Sequence, residues 1–149
     1  MWVRVDNRLV HGQVIEAWLP YTGSKSLVVA DDNLADNKMR QTIMSLAIPR
    51  PIQAFFVPLA EAASILSSTG ADSFLLFADC LSARKAFEYG VCYPCLNIGN
   101  LHYSPGKEQV CDHVALGDED YQNLRYLKAH GVEFDFRCVP NRKIQVRFG

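Results

Sequence analysis

The sequence has no hydrophobic run long enough to cross a lipid bilayer and no excess of either charge. Its longest apolar stretches, such as SFLLFA over residues 73–78, fall far short of the roughly 20 residues that a membrane-spanning helix needs. Fifteen basic and 16 acidic residues give a formal net charge of −1, so no overall basic field favours nucleic acid or acidic lipid. We therefore expect neither a membrane-spanning protein nor one that binds nucleic acid.

A secretory signal peptide, linkers, repeats and low-complexity tracts are missing too. Arg4 and Asp6 lie where a signal peptide would need its apolar core. The five cysteines are an odd, scattered number, which without a secretion signal is typical of reduced thiols in the cytosol. A chain of 149 residues, 49% of them hydrophobic, can bury a core without disulfides or metals. The sequence predicts one cytoplasmic domain over residues 1–149.

What the chain does contain is an alternation of apolar runs and helical patterns. Several of the runs are apolar almost throughout, which is typical of strands that are buried on both faces of a parallel sheet. The predicted strands are Trp2–Val5, Ser26–Ala30, 52–57, 73–78 and Cys95–Ile98.

Helical spacing of apolar residues predicts the elements between these strands. Met39, Ile43 and Leu46 recur with this spacing ahead of two prolines, and Asp118 is the expected N-cap of the clearest helix. Glycines are expected to end three of the helices. The predicted helices begin after Gly12 and near Met39, and cover residues 59–66, 82–89 and 118–130.

The last apolar segment, VEFDFRCV over residues 132–139, differs from the others because it alternates. Phe134, Phe136 and Cys138 share one face, as in an edge strand, which we expect to be antiparallel. Strand–helix alternation over one chain predicts a single-domain α/β fold, with a mostly parallel sheet and helices on both faces. Ligands of such sheets bind beyond the carboxyl ends of the strands. The loops at these carboxyl ends include the one after Val5, the one that holds Asp31 and Asp32, and the one after Ile98.

The first of these loops concentrates polar groups in the stretch VRVDNRLVHGQV. His11 would lie just ahead of a helix N-terminus, where backbone N–H groups favour an anion and disfavour an imidazolium. A neutral imidazole has a free lone pair and can be a nucleophile that accepts a phosphoryl group. Arg8 could hold two phosphoryl oxygens, Asp6 could orient either side chain, and Gly12 leaves room beside the backbone. Spacing alone leaves a plain salt-bridge or capping cluster open as the alternative.

The segment RVDNRLVHGQV closely resembles the signature of the enzyme IIB components of the mannose/fructose/sorbose family. These proteins belong to the bacterial phosphoenolpyruvate-dependent sugar phosphotransferase system. The family pattern is Arg–Ile/Val–Asp–Asp–Arg–Leu–Ile–His–Gly–Gln–Val. Further features of the family follow in the expected order: Trp18, the pair Asp31–Asp32, LLF, NIG, GKEQV and GVEFDFRCVP. The resemblance covers essentially the whole chain.

This resemblance implies a protein-N(pi)-phosphohistidine–sugar phosphotransferase. His11 would accept the phosphoryl group, Arg8 would stabilise it, and Asp6 would support the loop. Phosphate binding is expected of Gly12, Gln13, Asn97 and Gly99. The donor would be a separate IIA phosphohistidine protein, and the acceptor a sugar held by a IIC/IID membrane permease. No metal, nucleotide or other cofactor is expected. The sugar is left open, and a homo-oligomer is compatible with the sequence.

Three departures from the family pattern leave the sugar and the permease open. Asn100 stands where a second glycine is usual, and we expect it to narrow the pocket rim. Asn7 stands where a second acid is common. After Phe77 the chain reads ADCLS instead of a polar–Pro segment.

The sequence leaves two alternatives to a phosphotransferase that serves a permease. Cys92 and Cys95 form a C-x-x-C motif, which with Cys111 and His113 could be a redox or zinc site. However, Cys95 begins a predicted strand, and the ligand spacing is irregular. The other alternative is a regulatory phosphoprotein that keeps His11 but serves no permease. His102 and His113 are expected at the surface, and His130 as a helix cap.

Overall fold

The central feature of the computed structural model, which describes residues 1–144, 146 and 147, is a six-stranded sheet. Its strands, in chain order, are β1 (Trp2–Val5), β2 (Ser26–Ala30), β3 (Gln53–Val57), β4 (Ser73–Phe77), β5 (Cys95–Ile98) and β8 (Glu133–Asp135). Their order across the sheet is β3-β2-β4-β1-β5-β8, and every pairing is parallel. A separate antiparallel hairpin consists of β6 (Glu108–Cys111) and β7 (Val114–Leu116).

Six helical segments connect the strands. Helix α1 opens as a π-helix over Gln13–Trp18 and continues as an α-helix over Leu19–Thr22. The others are α2 (Asp32–Ala35), α3 (Lys38–Ser45), α4 (Ala62–Thr69), α5 (Cys80–Glu88) and α6 (Asp118–Ala129). Two short 3₁₀ turns, Leu59–Glu61 and Gly70–Asp72, flank α4. No helix among the described residues is long and apolar enough to cross a membrane.

Helices cover both faces of the sheet, as predicted. On one face, the α1 face, Val14 and Trp18 pack against Leu27, Phe74 and Leu76. On the other, the α5 face, the core combines alternate residues of the same strands with side chains of α4, α5 and α6. Strands β2 and β4 are buried throughout, which explains why their sequences are apolar without alternation.

The prediction of an antiparallel edge strand is wrong. Strand β8 does lie at the edge, but it runs parallel to β5 and ends at Asp135. The ladder stops there because the Asp135 carboxylate accepts the backbone N–H of Arg137, and side chains from β1 and β5 bind the Arg137 carbonyl oxygen. The chain therefore leaves the ladder after Asp135, and the Arg137 carbonyl oxygen is bound by side chains of the central strands.

Several other details differ from the sequence prediction. Helix α2 was not predicted, and the first residues of the predicted helix 59–66 form a 3₁₀ turn. The hairpin β6–β7 was missed, although EQVC and VAL flank a two-residue turn, which is a hairpin signal. Helix α6 begins one residue earlier than predicted, since its N-cap is Gly117 instead of Asp118, and the Gly117 N–H donates to the Asp120 carboxylate.

Candidate functional site

Asp6 is the centre of a polar cluster at the carboxyl end of β1. It follows Val5 directly and is fully buried. Its Oδ2 atom accepts from His11 Nε2 at 2.7 Å, from Arg4 Nη2 at 3.0 Å and Nε at 3.2 Å, and from Asn100 Nδ2 at 3.0 Å. Its Oδ1 atom accepts the backbone N–H of Arg8 at 2.9 Å. One carboxylate thus joins the first strand, the loop that follows it and the loop after β5.

His11 has one nitrogen occupied and one unpartnered. Because an ionised carboxylate only accepts hydrogen bonds, the ring hydrogen lies on Nε2, which faces Asp6. In the neutral ring the lone pair is then on Nδ1. This atom is buried and has no hydrogen-bond partner among the described residues. The His11 side chain as a whole is 6% exposed.

The loop between Asp6 and His11 is tightly wound. Leu9 has a φ of 56°, a left-handed conformation that non-glycine residues rarely adopt, at a cost of order 1–2 kcal/mol. Two contacts hold it there: the Leu9 N–H donates to the Asp6 carbonyl oxygen, and the Leu9 side chain is buried in the α1-face core. Helix α1 then starts from Gly12, and the Ile15 N–H donates to the His11 carbonyl oxygen.

The two arginines of the first segment occupy opposite environments. Arg8 is exposed, and its guanidinium forms no hydrogen bond or ion pair within the part of the chain that the structure describes. Arg4 is fully buried. Besides Asp6, its guanidinium binds Asn97 Oδ1 at 2.5 Å and lies 5.2 Å from the Trp18 ring centre. Arg4 was not among the predicted site residues, although an arginine within the apolar strand WVRV was a signal.

Asn97 and Gly99 support Arg4 from β5 and the loop after it. Asn97 is buried, and its amide hydrogens go to Asp135 and to the Arg137 carbonyl oxygen. A Cβ at position 99 would lie 2.2 Å from Arg4 Cζ and Nη2, so only glycine leaves room for this guanidinium. The phosphate-binding role that we predicted for both residues remains a prediction.

The residues that depart from the family pattern also hold the loops together. Asn100 Nδ2 donates to Gln13 Oε1 as well as to Asp6, and Gln13 Oε1 also accepts from the Cys138 thiol at 3.4 Å. Asn7 Nδ2 donates to the Ala78 carbonyl oxygen, while its Oδ1 accepts the His102 N–H. An aspartate at position 7 could not make the first of these bonds.

The electrostatics of the cluster favour an ionised Asp6. Burial alone raises the pKa of the Asp6 carboxyl, but the hydrogen bond from His11, the Arg4 charge and the other donors outweigh it, so this pKa lies below its usual value. Burial lowers the pKa of Arg4, with Asp6 opposing the shift. A guanidinium nevertheless stays protonated in proteins. Asp6 and Arg4 are therefore a buried ion pair.

The other candidate residues lie apart from this cluster. Asp31 caps α2 by accepting the Leu34 N–H, and Asp32 accepts the Leu59 N–H. Cys92 is exposed and Cys95 half-buried. In the described part of the chain, no group of three or more His, Cys, Asp or Glu side chains could hold a metal ion.

The histidines outside the cluster follow the prediction in two cases of three. His102 is exposed, and His130 lies at the C-cap of α6, where its Nδ1 is 2.8 Å from the Tyr126 carbonyl oxygen. His113 is half-buried instead of exposed, and its Nε2 lies 3.2 Å from the Phe136 carbonyl oxygen. Burial lowers the pKa of His113.

The sheet and its covering helices match those of solved IIB components of sugar phosphotransferase systems. The N-acetylgalactosamine-specific IIB component 1 of Escherichia coli superposes with a TM-score of 0.89 at 31% identity, covering 97% of this chain and 96% of that one. The IIB domain of the Klebsiella pneumoniae sorbose permease superposes with a TM-score of 0.87 at 27% identity, covering 96% and 90%.

Sequence comparison identifies the family. The model of the phosphotransferase system (PTS) sorbose subfamily IIB component matches residues 1–146, and the chain belongs to this family. It is 33% identical over 140 residues to the E. coli N-acetylgalactosamine-specific enzyme IIB component 1, covering 92% of this chain and 89% of that protein. It is 30% identical to the sorbose-specific EIIB component of K. pneumoniae, with 93% and 86% covered. The chain is thus a IIB component of the sugar phosphotransferase system, a class of phosphotransferases.

Proposed function

We propose that His11 is the phosphoryl carrier of this IIB component and that the phosphoryl group is attached to Nδ1. The observation that carries the proposal is the hydrogen bond of His11 Nε2 to Asp6, which leaves the lone pair on an unpartnered Nδ1. An acidic partner on the far nitrogen also makes the ring more nucleophilic, because it stabilises the positive charge that develops during attack.

The reaction has two steps, and in each step one bond to phosphorus forms while another breaks. The Nδ1 lone pair attacks the phosphorus of a phosphohistidine on a IIA protein, and the donor P–N bond breaks with its electron pair on the donor ring. A hydroxyl oxygen of a sugar in a IIC/IID permease then attacks the same phosphorus. The P–Nδ1 bond breaks, its electron pair returns to His11, and the hydroxyl proton is released. In both steps Nε2 of His11 keeps its hydrogen and donates it to the Asp6 carboxylate.

Around the phosphoryl group we assign three supporting roles. Arg8 is exposed, and its guanidinium has no hydrogen-bond or ion-pair partner in the described chain. Its N–H groups are therefore available to bind two oxygens of the phosphoryl group. Gly12 leaves open space where a phosphoryl group would approach, since nothing lies within 4 Å of a Cβ there. Backbone N–H groups of the first turn of α1, starting at Gln13, add donors and a positive partial charge.

Since Nδ1 is buried in this conformation, transfer also requires the His11 ring or its loop to shift outward. The left-handed Leu9 lies in the middle of that loop, and strain at such positions is typical of segments with an alternative conformation.

Phosphorylation in vitro tests the assignment. The full chain is incubated with phosphoenolpyruvate, enzyme I, the phosphocarrier HPr and a IIA protein of this family, and the label is followed by mass spectrometry and phosphorus NMR. We expect one acid-labile, base-stable phosphoryl group per chain on Nδ1 of His11. His11→Ala should abolish it, and the matched variant His102→Ala should retain it. Label on His102 or His113, or on Nε2 of His11, would refute the proposal.

A further inference from the structure

Helix α3 carries an apolar stripe on its solvent side that the core does not cover. Met39, Ile43 and Leu46 are 75%, 60% and 83% exposed. They follow one another at spacings of four and three residues and therefore lie on one face of the helix. No residue of α3 is fully buried. The sequence pattern predicted this helix correctly, but the apolar residues that define its period point away from the sheet.

Other contacts fix this orientation. Met44, on the inward side of α3, packs against the α1-face core. Gln41 Nε2 donates to the carbonyl oxygens of Leu34 and Ala35 in α2, at 2.9 and 3.0 Å. The outward position of the stripe therefore follows from bonds on the opposite side of the helix.

Cations border the stripe on both sides. Lys38 and Arg40 flank Met39 in sequence, so each lies about 100° around the helix from it. Both are exposed, as is Arg50 beyond the helix. Among the ion pairs of the described residues, none involves these three cations.

This part of the chain also lacks acids. Residues 37–60 contain no Asp or Glu, and the acid that comes before them is Asp36. In a chain with a net charge of −1, the apolar stripe thus has two positive charges without an ion pair, Lys38 and Arg40, on its own helix.

We propose that this face of α3 docks on an anionic lipid surface. An apolar centre with Lys and Arg at both borders is the pattern of helices that lie in the membrane interface. The cationic heads can reach lipid phosphates while their aliphatic stems lie along the apolar region. The stripe has no Trp or Tyr, two of the residue types that are enriched at the hot spots of protein–protein interfaces. Each cation near such a surface adds attraction that salt weakens.

Co-sedimentation of the full chain with vesicles tests the proposal. One set of vesicles is phosphatidylcholine, and the other replaces about a third of it with phosphatidylglycerol. We expect binding only to the anionic vesicles, and weaker binding as salt is added. The variants Met39→Gln/Ile43→Gln and Lys38→Gln/Arg40→Gln should each lower the partition coefficient by about tenfold. All four side chains are exposed, so circular dichroism should show an unchanged fold.

Matched controls come from the α5 face. Leu81→Gln/Tyr89→Gln removes two exposed apolar side chains, and Lys85→Gln/Lys128→Gln removes two exposed cations. Both should bind vesicles as the wild type does. Absence of binding to anionic vesicles, or equal binding by the α3 variants, would overturn the proposal. So would a dimer that only the α3 variants lose in analytical ultracentrifugation, or slower phosphoryl acceptance from IIA by these variants, since either identifies a protein occupant.

Discussion

At the scale of single residues, two arginines and two glycines of the site differ in their surroundings. Arg4 is buried behind Asp6, whereas Arg8 is exposed in front of it. Gly99 makes room for the Arg4 guanidinium, whereas Gly12 faces open space. In each pair one residue packs inside the site, and the other is the one that we propose meets the phosphoryl group. Substitutions at these positions should therefore separate folding from transfer.

Replacing Arg8 should slow transfer without unfolding the protein. Phosphoryl transfer depends on positioning and charge stabilisation, and an arginine can contribute roughly 10³–10⁵ in rate. Because the N-terminus of α1 shares this role, we expect Arg8→Ala to be slower by about 100-fold, with stability within about 0.5 kcal/mol. Arg8→Lys should recover only part of the rate. Rapid-quench assays of transfer from IIA measure this, with urea unfolding as control. A folded Arg8→Ala protein with the wild-type rate would make Arg8 a surface residue without a role in transfer.

The two glycines should respond to alanine in opposite ways. Gly99→Ala would overlap the buried Arg4 guanidinium and should lower the free energy of unfolding by about 1–3 kcal/mol. Gly12→Ala meets nothing within 4 Å at a φ of −51°, so stability should change by less than about 0.5 kcal/mol. Transfer should nevertheless slow by about tenfold or more, because the methyl group occupies the approach of the phosphoryl group. An unchanged rate in Gly12→Ala would remove Gly12 from the site.

At the scale of elements, the segment directly after β8 binds the buried side chains of the site. The carbonyl oxygens of Arg137 and Cys138 accept from Arg4, Asn97 and Trp18. Arg137 also lies 5.4 Å from the Trp18 ring centre, so Trp18 lies near the guanidinium groups of both Arg137 and Arg4. Helix α1, which begins beside His11, is thereby attached to the opposite end of the chain.

Trp18→Phe tests this attachment. The substitution removes the indole N–H that donates to the Cys138 carbonyl oxygen at 2.7 Å, and it leaves a smaller ring in a fully buried position. We expect the free energy of unfolding to fall by about 2–3 kcal/mol, from the lost bond and the cavity together. Urea denaturation measures it, with Tyr89→Phe at an exposed position as the matched control. A loss no greater than in the control would show that the contact is not stabilising.

Element prediction succeeded for the strands whose local pattern was sufficient, and it failed at β8, where a distant partner decided. Strands β2 and β4 are apolar throughout because both faces are covered, so their sequences were enough. The alternation of VEFDFRCV suggested a long antiparallel edge strand. Its direction and early end depend on β5 and on side chains that lie about forty to 130 residues away in sequence, and no local pattern carries that information.

At the scale of the whole molecule, stability at acid pH should depend on Asp6. The pKa of its carboxyl is lower in the folded protein than its ordinary value, so the ionised form stabilises the fold above the unfolded pKa of about 3.9. This contribution is lost as the pH falls through the folded pKa. Asp6→Asn leaves Arg4 buried without its counter-charge and should cost about 3–5 kcal/mol at neutral pH.

The measurement is the free energy of urea unfolding of wild type and Asp6→Asn as a function of pH. The difference between the two proteins should be constant near pH 7 and should narrow below about pH 4. Asp118→Asn, at the start of α6 and away from the site, controls for the general effect of losing a carboxylate. A difference that stays constant down to the acid transition would show that ionised Asp6 does not stabilise the fold.

The sequence by itself determined the α/β class, the positions of most elements and the loop on which His11 lies, because burial on two faces and helix termini leave local patterns. The family followed from the same loop, and the comparisons confirm it. Only the tertiary structure decided that Arg4 is the buried counter-ion of Asp6, that Asn97 and Gly99 serve this arginine, and that the apolar side of α3 faces solvent. The physical reason is that charge pairing and burial depend on which elements meet. A buried guanidinium and an exposed one have the same letter in the sequence, and only their neighbours across the sheet distinguish them.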